Sequence, residues 1–137
     1  MKVSISARNK ALQIYVLFFL LLSMFSCEPS RELPGTYVAD YDAAKEKLVL
    51  NKDGTYTQEV MLKSNSKVDV SRGTWTYNPE NQYLSFDDNF MLVLNGFGKL
   101  NPEYAYRKLG GVSVPAHRSF GRMRIGSSKR VVYKKID

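Results

Sequence analysis

Between residues 35 and 136 the apolar side chains come in short runs separated by turn residues about every 8 to 12 positions, a spacing that excludes long helices and predicts strands. The sharpest case surrounds Asp53 and Gly54, with Lys47, Leu48, Val49, Leu50 and Asn51 on one side and residues 55–63 on the other. Asp-Gly between two such runs is a strong hairpin signal, because a tight hairpin turn needs residues that tolerate positive φ. In the second run Tyr56, Gln58, Val60 and Leu62 share one face, and Thr57, Glu59, Met61 and Lys63 share the more polar other. A strand with that alternation has one side in a core and one in water.

A recurrence extends the pattern. Gly35-Thr36-Tyr37, Gly54-Thr55-Tyr56 and Gly73-Thr74-Trp75 lie nineteen residues apart in each step. That is about two short strands and their turns, so the triplet is expected to mark one point of successive hairpins, with Gly in the turn and the aromatic entering the sheet. Residues 68–77 read as one strand, bulged near Arg72 and Gly73. Residues 83–86 follow, and then Phe90, Met91, Leu92, Val93 and Leu94 form a run apolar on both faces, which must be covered on both. Residues 99–118 are the least regular, with Pro102, Gly110, Gly111 and Pro115, and leave room for a short helix over 102–108. Strands over 119–126 and 130–136 complete the set. The expected fold class is all-β, an antiparallel meander of about eight strands closed as a small barrel or sandwich, after an N-terminal signal helix. Closure removes exposed edges, and eight strands enclose either a packed interior or one small ligand.

The first 27 residues have a different character. Lys2, Arg8 and Lys10 precede fifteen residues, 11–25, in which only Gln13 and Ser23 are not apolar. This is the layout of a secretory signal. A permanent span needs about 20 apolar residues, and Glu28, Pro29, Ser30, Arg31 and Glu32 forbid extension. An uncleaved anchor is the competing reading.

The signal ends Leu22-Ser23-Met24-Phe25-Ser26-Cys27, which resembles the lipobox of bacterial lipoproteins, although Phe25 is bulkier than that family's usual residue. The resemblance implies that Cys27 becomes the mature N-terminus, bearing a diacylglyceryl thioether and a further acyl chain such as palmitate on its amine. Two or more chains, at about 0.8 kcal/mol per buried methylene, anchor a protein stably. In some Gram-negative bacteria an Asp after the cysteine retains the lipoprotein at the inner membrane; Glu28 stands there instead, which favours the outer. The competing reading of Cys27 is a buried thiol. Together with the lipobox, the Gly35 triplet, the Asp53-Gly54 hairpin and Gly73-Thr74-Trp75 make the chain similar to small lipocalin-like lipoproteins of bacteria, with Tyr37 where a lipocalin's first strand has Trp. The expected organisation is a signal peptide at 1–26, a lipidated leader at 27–34 and one β-barrel-like domain at 35–137.

Little in the chain carries chemistry. With Cys27 acylated no thiol remains. The one histidine, His117, is expected in a Pro-Ala-His-Arg loop with no nucleophile motif beside it. Asp87, Asp88 and Asn89 lack the spaced oxygens and glycine of a calcium loop. Asp40 and Asp42 suit a solvated loop better than acid–base work, and neither Gly110-Gly111 nor Gly96-Phe97-Gly98 fits a phosphate loop. No catalytic residue, metal or cofactor is therefore expected, and the protein is not expected to be an enzyme.

Charge is unevenly spread. Residues 28–98 hold seven basic and eleven acidic side chains, and residues 99–137 ten basic and two acidic. Beyond a secretion signal the anions to expect are envelope components or an acidic protein rather than nucleic acid. The candidate interaction surface is Arg118, Arg122, Arg124, Lys129, Arg130, Lys134 and Lys135, with the solvated faces of ordinary strands as the competing reading. The expected function is a lipid-anchored envelope module, non-enzymatic, on the periplasmic or surface side. The alternatives are an inhibitor or immunity protein, presenting a protruding loop over 99–118, and a lipocalin-like carrier of a small hydrophobic ligand.

Overall fold

The computed structural model describes Tyr15 and residues 29–87, 89–95, 97–101, 111–126 and 131–137. Apart from Tyr15 the expected signal peptide lies outside the described residues, as do Cys27 and the helix expected over 102–108. A four-residue helix, α1 (Pro29–Glu32), leads into β1 (Gly35–Asp40), β2 (Ala44–Leu50), β3 (Thr55–Leu62), β4 (Val68–Asn78), β5 (Tyr83–Phe86), β6 (Val112–Ser119), β7 (Arg122–Gly126) and β8 (Val132–Lys135). Each strand pairs antiparallel with the next, and β8 returns to β1. The meander is thus an eight-stranded closed barrel, lipocalin-like in kind, and not a sandwich.

The expected hairpin at Asp53 and Gly54 joins β2 to β3 in register, Leu50 opposite Tyr56. Asp53 fixes the turn by accepting from the Thr55 N–H at 2.9 Å. Alternation along β3 is as expected, with Tyr56, Gln58, Val60 and Leu62 buried. The Gly-Thr-aromatic triplets sit at one end of the barrel, linked across the sheet through Gly35, Leu50, Tyr56 and Gly73. Tyr37 and Tyr56 are buried and Trp75 half-buried. Gly54 does belong to a turn, but Gly73 lies within β4 opposite Tyr56. The register of β4 runs unbroken through Arg72 and Gly73, so the expected bulge is absent. β4 instead changes partner, pairing with β3 up to Thr74 and with β5 from Trp75.

The sixth strand is not the expected one. Residues 90–94 form no strand beyond an isolated bridge between Leu94 and Leu100. They pass into the barrel as a plug, with Phe90, Met91 and Val93 buried. Phe90 stacks on Phe86 at 4.1 Å and meets Tyr56 edge-on at 5.9 Å. An aromatic pair of this kind is worth about 0.5–1.5 kcal/mol beyond the area it buries. β6 takes the vacant place in the sheet, with Val112 and Val114 half-buried, Ala116 buried, and Pro115 opposite Tyr83. Pro-Ala-His-Arg is therefore strand and not loop, and much of the loop expected over 99–118 belongs to the wall. Residues 119–126 also divide, since Phe120 and Gly121 turn between β6 and β7 with φ of 50° and 76°. Positive φ at both central residues is the signature of the I′ hairpin turn. Gly126 ends β7 at φ 102°, where a Cβ would stand 2.0 Å from the Val131 carbonyl oxygen, so no other residue fits.

The barrel has two unlike ends. α1, the turns at 51–54, 78–82 and 120–121, and the last residues of the chain cluster at the leader end. The turns at 41–43 and 63–67 and the plug-bearing connection from β5 to β6 occupy the plug end.

Candidate interaction face at the leader end

The leader is fastened by its backbone. α1 ends with carbonyls that its own turn cannot satisfy, as every helix end does. Lys135 donates to the carbonyls of Glu32 at 2.6 Å and Pro34 at 2.8 Å, and the Tyr37 hydroxyl donates to that of Leu33 at 2.6 Å. Leu33 is fully buried beneath them. Glu32 forms an ion pair with Arg118. Asp137 accepts from the Thr36 N–H at 2.8 Å, which lowers its carboxyl pKa, helped by the nearby Lys135 ammonium. Burial, with the carboxylates of Asp137 and Glu32 adding to it, pushes the Tyr37 phenol well up, so it remains a donor.

These contacts divide the expected basic surface. Paired residues in an antiparallel ladder point to the same side, and Arg118 pairs with buried Met123 while Lys135 pairs with buried Tyr37. Both therefore face the barrel mouth, where they hold the leader. Arg124 and Lys134 pair with each other on the outside, next to His117 on one flank and Val38 on the other. Arg122 is exposed at the base of the β6–β7 turn. Lys129 and Arg130 lie outside the described residues. Of the described five, then, two serve the leader and three face outward.

Two clefts flank the Arg118–Glu32 pair. One of about 460 Å³ is lined by Glu32, Arg118, Gly121, Arg122, Lys135 and Ile136 among others. One of about 270 Å³ is lined by Tyr77, Gln82 and His117 as well as the pair. Both are open to solvent; Arg118 and, in the larger, Lys135 are cations already engaged with the leader, while Arg122 in the larger is not.

The plug end holds a polar cluster that sequence reasoning did not single out. Glu46 is 1% exposed and Gln58 0%. The hydroxyls of Tyr41 and Tyr133 donate to Glu46, and the Gln58 amide donates to it at 3.0 Å. Gln58 also clamps the plug backbone, accepting from the Met91 N–H at 2.8 Å and donating to its carbonyl at 3.0 Å. Burial raises the Glu46 carboxyl pKa, opposed by the three hydrogen bonds it accepts, and burial beside Glu46 raises the Tyr133 phenol. Among the described residues no buried side-chain nitrogen or oxygen lacks a hydrogen-bond partner. The available signal was Gln58 on the apolar face of β3; Glu46 was hidden because β2 begins at Ala44, three residues before the apolar run suggests.

The remaining candidates have structural partners. Asp40 pairs with Lys63 at 2.6 Å, and that ammonium lowers its pKa. Asp87 accepts from the Thr74 hydroxyl at 2.9 Å. No three His, Cys, Asp or Glu side chains among the described residues converge as a metal site. No family model, curated protein or solved structure matches this chain.

Proposed function

We propose that the protein is a lipid-anchored envelope lipoprotein whose barrel is a non-enzymatic binding or interaction module, carried on a membrane by acylated Cys27. The supporting observation is the fastening of the leader. Leu33 is buried in one end of the barrel, and Cys27 precedes it by six residues. A chain extends by at most about 3.3–3.6 Å per residue, so the acyl chains would lie within about 20 Å of that end. The tether is short and its root is fixed, so the barrel would have a defined orientation on its membrane. A packed interior, with residues 90–94 inside the sheet, favours a module that works through its outer surface over a carrier of hydrophobic ligands.

Intact mass and detergent-phase partitioning of the protein from its host, beside a Cys27→Ser variant, test the reading. Acylated mass and detergent partitioning are expected for the wild type and are expected to vanish in the variant. A variant that stays in the membrane at full precursor mass would sink the proposal in favour of an uncleaved anchor.

A further inference from the structure

The most exposed large apolar side chain at the leader end is Phe120, 98% exposed at the tip of the β6–β7 turn. Its placement is doubly unfavourable. It gives a whole aromatic ring to water, and its φ of 50° is a conformation in which a bulky residue is strained and Asn or Gly is preferred. A turn selected for stability alone would carry Asn there, ahead of the Gly121 already in place.

Its surroundings belong to the leader. Arg118, two residues before Phe120, pairs with Glu32, and Gly121, Arg122 and Ile136 line one cleft with Glu32. Ile136 is itself 62% exposed. The leader root, the Phe120 turn and Ile136 therefore share one end of the barrel, within the reach of the tether. The opposite end is farther away, since the eight residues of β3 alone span about 26 Å.

We infer that this end is seated on the lipid bilayer, with the Phe120 ring inserted at the interface, Ile136 beside it and the Arg122 guanidinium at the level of the lipid phosphates. An aromatic ring in the interfacial layer with a cation next to it is a favourable arrangement for both groups. Carboxylates also stand at this end, and Glu32 and Asp137 line one cleft with Arg122. Glu32 is paired with Arg118, Asp137 is bonded to the Thr36 N–H, and Asp53 to Thr55. Glu80 is exposed on the neighbouring 78–82 turn. The exposed Phe97, on the plug-end connection, would remain in water.

This inference rests on the lipoprotein reading, and one experiment separates the two. Cys27 is the only cysteine, so an acylated chain has no free thiol. Full-length Phe120→Cys and Phe97→Cys proteins purified from membranes are labelled with an environment-sensitive fluorophore. They are then reconstituted into phosphatidylethanolamine–phosphatidylglycerol vesicles carrying a lipid-borne quencher. One label per variant and none on the wild type are expected. The probe at 120 should be blue-shifted and quenched several-fold more strongly than the probe at 97. Equal, water-like signals from singly labelled, vesicle-bound protein would overturn the insertion and leave the anchor standing. A label on wild-type Cys27 would instead overturn the anchor, and the insertion with it. A Phe120→Asn variant guards against a perturbed fold: it should fold at least as well as the wild type and lose the protection from hydrogen exchange that vesicles give to residues 119–122. Unchanged protection in that variant would also overturn the insertion.

Discussion

The two ends of the barrel are closed by opposite means. At the plug end the chain itself fills the opening, and Gln58 satisfies the Met91 backbone in both directions at 2.8 and 3.0 Å. At the leader end the described leader contributes buried Leu33, and the closure is made by Lys135, Arg118 and Tyr37 reaching to backbone carbonyls and one carboxylate. A plug sealed from water gains apolar burial and undiluted hydrogen bonds. A polar, half-wet closure contributes less, since exposed ion pairs are worth about 0–1 kcal/mol. The plug end is therefore the structural end, and the leader end is free to meet something outside the barrel.

The largest test of that contrast is truncation of the two apolar stoppers. Phe90→Ala should lose about 3–5 kcal/mol in urea unfolding, because it empties the stack with Phe86 and the contact with Tyr56. Leu33→Ala should lose less, about 2–3 kcal/mol, because a short leader can settle into the space it leaves. A Leu33 cost exceeding that of Phe90 would reverse the assignment of the structural end.

Buried acid at the plug end gives a second test, by pH. Among the described residues no buried cation stands beside Glu46, and burial raises its carboxyl above the ordinary 4.5. A raised folded pKa contributes stability that is full below the unfolded pKa and is lost as pH rises through the folded one. Glu46→Gln cannot ionise, so its stability relative to the wild type should improve progressively as pH climbs from about 4.5. Asp40, Asp53 and Asp137 are lowered instead, and contribute in the opposite sense as pH falls; all are exposed, and both proteins share them. Parallel pH–stability curves for the two proteins would place the titration elsewhere.

A smaller effect is expected at the leader end. Phe120→Asn relieves left-handed strain and should stabilise the barrel by about 1 kcal/mol, read as a higher urea midpoint at unchanged slope. A destabilised variant would mean that the ring is needed for the fold itself.

Faces, turns and closure were legible in the sequence because they are local. The alternation of β3 and the Asp53-Gly54 hairpin each declare themselves within a few residues. The identity of the sixth strand was not legible. Phe90 to Leu94 carry no period, and a short apolar run fits a buried strand as well as a plug. What decides is Gln58, 33 residues before Met91, offering that backbone the partners a neighbouring strand would have supplied. Val112, Val114 and Ala116 did alternate, but Pro115 and the glycines before them concealed a strand that tolerates a proline opposite Tyr83. At the candidate face, the basic composition was plain, whereas the division of Arg118 and Lys135 from Arg124 and Lys134 depends on register, which residue counting alone does not set.

The seam between β1 and β8 carries a further consequence. Its ladder comprises two residue pairs, Tyr37 with Lys135 and Val38 with Lys134, against seven between β2 and β3. The Thr36–Asp137 bond beside it joins residues 101 apart. Entropy lost in closing so long a loop is repaid only when the intervening strands are already in place. We expect the β2–β3–β4 meander to nucleate folding and the seam to close last, so that Val38→Ala accelerates unfolding and leaves the refolding rate unchanged. A slowed refolding rate would put the seam in the nucleus. A chain that folds in this order captures its leader in the final step, when Lys135 and Tyr37 come together around it.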